Sequence, residues 1–294
     1  MVDSLGTLSS RSWDFFRSHL TDILLGALVA GIILGVLQTS VVDRMSQGAR
    51  QGLERMGVDQ ERMEVLQQRM QAGDRQAAEE LSQEMQRALG GLAEDGALNA
   101  VPPAVRNLFG GMMWSFLLFM AVATLVGVAF NGYVLVLVLE GKKAGDALSR
   151  LTGLLLPLVG LGLWLIVRTF VWIPVLGIVL AIILGPRFLL APLLLVKEGK
   201  GVFASMRESY ARTQGYWGKI FGNLFVISLL VSLAAMVVNT ALGAVMGHAS
   251  SYVEPFVQMV AGGFIAVFSS YLGLAILGGG PAVPSQPAPG PVAA

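Results

Sequence analysis

The chain has 294 residues, of which 54% are hydrophobic and only 13% charged, and its formal net charge is +1. Soluble domains carry roughly 25% charged residues, so much of this surface is solvated by something other than water, and lipid is the medium that fits. The absence of cysteine excludes disulfides, thiolate zinc sites and cysteine nucleophiles, and two histidines, His19 and His248, are too few for a histidine metal cluster.

In chain order, residues 1–19 are an amphipathic segment that gathers Leu5, Leu8, Trp13, Phe16 and Leu20 near one face with arginines elsewhere. Such a helix lies in the headgroup region, which puts Trp13 and Phe16 at the membrane interface. A crossing helix needs about 20 apolar residues. Runs of that kind stand at 20–42, 112–139, 147–170, 172–196, 217–245 and 255–277. The expected fold is all-α, a polytopic bundle of about six transmembrane helices. Period-two alternation is absent, which argues against a β-barrel. The first run exceeds the roughly 7–15 apolar residues of a secretory signal, and no small-x-small cleavage site precedes Asp43-Arg44, so an uncleaved span is expected. Gly31 with Gly35, and Gly243 with Gly247, are spaced for close helix approach.

Residues 43–107 form the soluble part, with eight arginines and eleven acids. Asp59 can cap a helix bearing Met63, Leu66 and Met70 on one face; after Gly73-Asp74 a second stripe follows at Ala78, Leu81, Met85 and Leu89. A helical hairpin results. It either packs on itself or the membrane surface, or contacts a membrane-protein partner or a second copy of the chain. Residues 200–216 predict another interfacial helix, with Val202, Phe203, Met206 and Tyr210 together, Arg207 and Arg212 available to headgroups, and Trp217 as anchor. The tail at 278–294 is rich in proline, alanine and glycine without charge, a disordered composition.

Orientation follows from basic residues in short loops. Arg11 and Arg17 precede the first span; Lys142, Lys143 and Arg150 join the second and third; Lys197, Lys200, Arg207, Arg212 and Lys219 join the fourth and fifth. Six spans put these segments on one side, so both termini are expected in the cytoplasm of a bacterial cell with the chain in its inner membrane, and the 43–107 insertion outside. Membrane lipids are the expected contacts; no nucleic acid, cofactor or metal is expected.

Ionisable groups within a span are costly and are functional candidates by default. Arg187 follows Pro186 within the fourth run, well inside its cytoplasmic end at Val196. Asn131 and Asn223 fall at comparable depth, and Asp22 and Glu140 are the nearest candidate counter-charges. Two readings arise. In one, these residues line an inner-leaflet pocket where Arg187 meets a lipid phosphate or anionic substrate. In the other, Arg187 snorkels to headgroups or pairs with Glu140 to fix packing. No HExxH, GxSxG, P-loop or buried carboxylate pair occurs, so no catalytic residue is expected.

The stretch GPRFLLAPLLLVKEGKGVFASMRESYARTQGYWGKIFGNLFV resembles the signature of a prokaryotic group of polytopic membrane proteins. That group comprises the membrane domain found with glycerophosphoryl diester phosphodiesterases and the YciC-like proteins. Arg187, Pro192, Glu198, Gly201, Ser209, Gly215 and Trp217 fit its pattern, and GKKAGDALSRL at 141–151 resembles its polar link. The resemblance covers 141–270 and departs at the 43–107 insertion. It implies a membrane bundle and no activity, since the phosphodiesterase catalytic domain is absent from the chain. The resulting expectation is a non-enzymatic scaffold or accessory protein of membrane assembly; the alternative is a transporter or lipid-handling protein using a pocket near Arg187.

Overall fold

The computed structural model describes residues 4–55, 65, 69, 76–77, 80, 103–141, 143–170, 174–247 and 250–278. The elements are α1 (Leu5–Ser18), α2 (Leu20–Arg55), α3 (Pro103–Glu140), α4 (Ala144–Phe170), α5 (Pro174–Phe188), α6 (Ala191–Glu198), α7 (Val202–Arg212), α8 (Trp217–Met246) and α9 (Ser250–Ile276). No strand occurs among the described residues. Among the described residues, five helices carry stretches long and apolar enough to cross a membrane: Leu20–Val41, Met113–Glu140, Ala144–Leu165, Trp217–Met246 and Tyr252–Ile276. The chain is an all-α, multi-pass membrane protein.

The chain divides into two compact units, 1–35 with 123–294, and 36–122. In the smaller unit Arg69 Nη1 donates to Glu80 Oε2 at 3.3 Å, and Ala77 is fully buried. The remaining stripe residues expected within 59–89, and the tail at 279–294, lie outside the described residues. Residues 43–55, expected in the soluble insertion, continue α2 without a break.

In the larger unit, α1 starts at Ser4, whose Oγ accepts from the Thr7 N–H at 3.3 Å, satisfying one of the donors every helix start leaves open. Its buried stripe is Leu8, Ser12 and Phe16, one residue per turn. Leu8 packs with Ile220, Phe268 and Leu272, and Phe16 meets Phe264 edge-to-face at 5.4 Å. The Leu8 and Phe16 part of the stripe expected to face lipid thus rests on α8 and α9, while Trp13 and Leu20 stay outward. Beyond His19, α2 continues along α9 in the opposite direction. Gly31 lies against the Phe256 backbone and Gly35 against Tyr252 and Pro255, so this glycine pair is a real helix contact. The Gly243/Gly247 pair is not: Gly247 ends α8 with φ +56°, and nothing packs where its Cβ would be.

Residues 130–138 of α3 are buried almost throughout, apart from Asn131. A helix segment apolar on every side is surrounded by other helices. Here Val134–Val138 pack with Leu193–Val196 of α6 and with Val267 and Leu274 of α9. Gly141, at φ +58°, makes the tight reversal from α3 into α4.

The fourth run departs from expectation. Instead of one span over 172–196, α5 ends at Phe188 and α6 starts at Ala191. Pro186 and Pro192 each lack an N–H and clash with the preceding turn, and six residues apart they leave no room for an uninterrupted ladder between them.

Candidate functional site at a broken membrane helix

Between hydrocarbon-facing helices every backbone polar group needs a partner within the protein, and a broken helix creates orphans. α7 supplies the partners. Leu190 N–H donates to Ser209 Oγ at 3.1 Å, and that hydroxyl donates in turn to Arg187 O at 2.7 Å. Thr213 Oγ1 lies 3.2 Å from the same carbonyl, and Trp217 Nε1 donates to Ile183 O at 2.9 Å. Ser205, Ser209 and Thr213, one per turn, are all fully buried. The face of α7 turned inward is therefore its hydroxyl stripe with Met206, while Phe203 is 68% exposed and Tyr210 48%. This inverts the arrangement of a helix in water, and the need to satisfy the break explains it.

Gly199, at φ +64°, turns the chain from α6 to α7, and Gly215, at φ +84°, from α7 towards α8. The left-handed region is open to glycine without strain. A closed ring of charge spans the first turn. Lys200 bonds both Glu198, at 2.6 Å, and Glu208; Arg212 bonds Glu198, at 3.2 Å, and Glu208. The hydrogen bond from Lys200 holds both carboxyls below their ordinary value, against an opposing desolvation. The same contacts raise Lys200, Glu198 first. Depressed carboxylates stabilise the fold above their ordinary pKa of 4.5 and lose that contribution as pH falls through the lowered value. The raised lysine contributes below its ordinary pKa of 10.5 and loses it as pH rises through the raised one. Thermal unfolding in detergent should therefore show a drop in Tm below about pH 4. Glu208→Gln should flatten that drop, and high salt should shrink the effect, because these groups face solvent. A drop of equal size in the variant would remove the ring as its cause.

On the other side of the break lies a cavity of about 450 Å³ between α3, α4, α5, α6 and α9. Leu135, Leu165, Phe188, Leu189 and Leu193 form most of its wall; Asn131, Ser269 and Ser270 are its polar side chains. Those groups are engaged with their own helices: Asn131 Nδ2 donates to Gly127 O at 2.8 Å, Ser269 Oγ to Ile265 O at 2.7 Å, and Ser270 Oγ to Ala266 O at 2.8 Å. Among the described residues, none that lines the cavity is charged. A second recess, about 310 Å³, lies between α2, α3 and α4 and is apolar except for Tyr133, whose hydroxyl donates to Asp22 O at 3.0 Å.

The five residues expected to share a pocket are dispersed. Asn131 lines the cavity, but Arg187 does not. Arg187 turns to α7, its Cζ 5.1 Å above the centre of the Tyr210 ring. Glu140 pairs with Arg150 at 3.4 Å, and Arg187 has no carboxylate within ion-pair distance among the described residues. Asp22 contributes its backbone carbonyl, and Asn223 lies on α8 outside the lining of either cavity. Of the residues expected at the interface, Trp13, Phe203, Arg207 and Tyr210 project outward. Phe16 is engaged by core packing and Trp217 by the Ile183 carbonyl, while Arg212 stays exposed but is tied into the charge ring. Ser269, Ser270 and the hydroxyl stripe were not anticipated as site residues, although their one-per-turn spacing beside a Pro-x5-Pro segment is a readable sign. Asn239 was missed as well; its Oδ1 is buried without a partner within the apolar run of α8.

Fold and site together define a multi-pass helical membrane protein with an apolar cavity at a helix break. No family model, curated protein or solved structure matches the chain.

Proposed function

We propose that this is a non-enzymatic, lipid-handling protein of the bacterial inner membrane that seats a lipid chain in the cavity beside the α5–α6 break. The carrying observation is the cavity itself. Its volume falls within the range, roughly 300–1,000 Å³, of ligand sites; its wall is apolar, and its three polar side chains already serve their own helices. Such a lining gives an ion or polar solute little to replace its hydration, whereas an acyl chain needs none. In this reading α5 and α6 together make a broken sixth crossing. Both termini then lie in the cytoplasm, with the 43–107 insertion outside. The resemblance to the phosphodiesterase-associated and YciC-like membrane proteins agrees with this bundle and adds no activity.

The test is lipid retention by the full-length protein after extraction into detergent, read by native mass spectrometry. The wild type should keep a bound phospholipid, and Ser269→Phe, which grows a ring into the cavity, should keep none while unfolding at a similar temperature. Equal lipid content in the two proteins would discard the cavity as the site. It would favour the scaffold reading, for which the folded contacts within the insertion, the Arg69–Glu80 pair and buried Ala77, are the relevant surface.

A further inference from the structure

Arg187 has one nitrogen, Nη1, that is buried and donates to no partner among the described residues. One face of its guanidinium rests on Tyr210. A buried cation without a counter-charge is expensive, and the nearest acids cannot supply one. Glu198 and Glu208 are the two acids of residues 183–219, and Lys200 and Arg212 occupy both. Those residues carry six basic groups against two acidic ones, and Lys197, Arg207 and Lys219 are exposed. Nη1 is enclosed, but the residue as a whole is half-buried, so part of it meets the surroundings of the bundle. It also stands at the level of α7, where the charge ring and the exposed Tyr210 and Tyr216 mark a polar boundary rather than hydrocarbon.

Resting on the lipid-handling reading, we propose that Arg187, backed by Tyr210, binds the phosphodiester of an anionic phospholipid at the α5–α6 break. A guanidinium fork matches the paired oxygens of a phosphodiester, while the aromatic face keeps the side chain in place without neutralising it. Surrounding lysines and arginines add attraction for a negatively charged headgroup over a zwitterionic one.

The delipidated full-length protein is titrated with phosphatidylglycerol and with phosphatidylcholine of the same chains, and bound lipid is counted by native mass spectrometry. Both lipids offer the phosphodiester, so the preference reads net charge: phosphatidylglycerol, which lacks the choline cation, should bind about tenfold more tightly. Arg187→Gln should weaken binding of both lipids and shrink the preference, and Arg187→Lys should fall between. Tyr210→Phe should change nothing, because the ring and not the hydroxyl faces the arginine, whereas Tyr210→Leu should lose part of the preference. Should Arg187→Gln not fold, the Lys and Leu variants carry the comparison. Equal affinity for the two lipids, or an unchanged preference in the Arg187 variants, would overturn the proposal. So would inorganic phosphate alone filling the site with no gain from phosphatidylglycerol. A lost headgroup preference alongside retained lipid that Ser269→Phe still removes would reject this headgroup site and leave the cavity reading standing.

Discussion

Gly31→Val is expected to be among the most damaging single changes in the protein, costing about 3 kcal/mol, at the upper end of what overpacking does. A Cβ at Gly31 would fall 2.8 Å from Phe256 Cα and 3.0 Å from its nitrogen. Both are backbone atoms of α9, so the clash cannot be relieved by turning a side chain; the helices must separate. Separation also uncovers the contacts on either side, including Ile23 against Gly263 and Phe130. Gly273 makes an instructive contrast. A Cβ there collides even more closely with Leu193 Cδ1, but that atom is the end of a flexible side chain, and Leu193 also lines the large cavity. It has somewhere to go. Gly273→Ala should therefore cost clearly less than Gly31→Val in unfolding titrations in mixed micelles, and a reversed order would refute this account of both sites.

Ser209→Ala should be the second large loss, about 2–3 kcal/mol. The hydroxyl both receives the Leu190 N–H and donates to Arg187 O. Thr213 can still serve that carbonyl at 3.2 Å, but Leu190 N–H, in a residue with no exposure, would be left unsatisfied. An orphaned buried donor costs about 1–3 kcal/mol, and the lost neutral bond to the carbonyl adds to it. Ser209→Thr keeps the oxygen and should retain most of the stability, whereas Ser205→Ala, whose hydroxyl makes only a long 3.4 Å contact with Lys200 O, should be mild. Similar unfolding midpoints for Ser209→Ala and Ser205→Ala would mean that the break does not depend on α7 for its hydrogen bonds.

The five long apolar helices were legible in the sequence because length and hydropathy alone decide whether a segment can cross a membrane. The broken fourth run was half legible. Pro186 and Pro192 announced an interruption, but whether two prolines kink a helix or split it depends on partners brought from elsewhere, here Ser209 and Thr213. For α1 the apolar face is the buried one, against α8 and α9, but periodicity misjudged α7, whose hydroxyls turn inward. It ranks faces by hydrophobicity, and in a membrane protein the most apolar face is as content in lipid as in the core. Only the hydrogen-bonding needs of neighbouring backbone decide which face turns inward. Depth alone groups Arg187 with Asn131; the direction in which each side chain leaves its helix separates them.

The pairing of α2 with α9 bears on how the chain is made. More than 200 positions separate Gly31 and Gly35 from the α9 residues they touch, so this glycine face meets its complement only after α3 to α8 have been made. Closure of the bundle is therefore not vectorial. By contrast, the α5–α7 fastening joins residues 22 positions apart, Ser209 to Arg187, and can form as soon as that stretch is inserted, since short loops close early. Assembly should proceed from this local clasp to a later, long-range closure of α2 on α9.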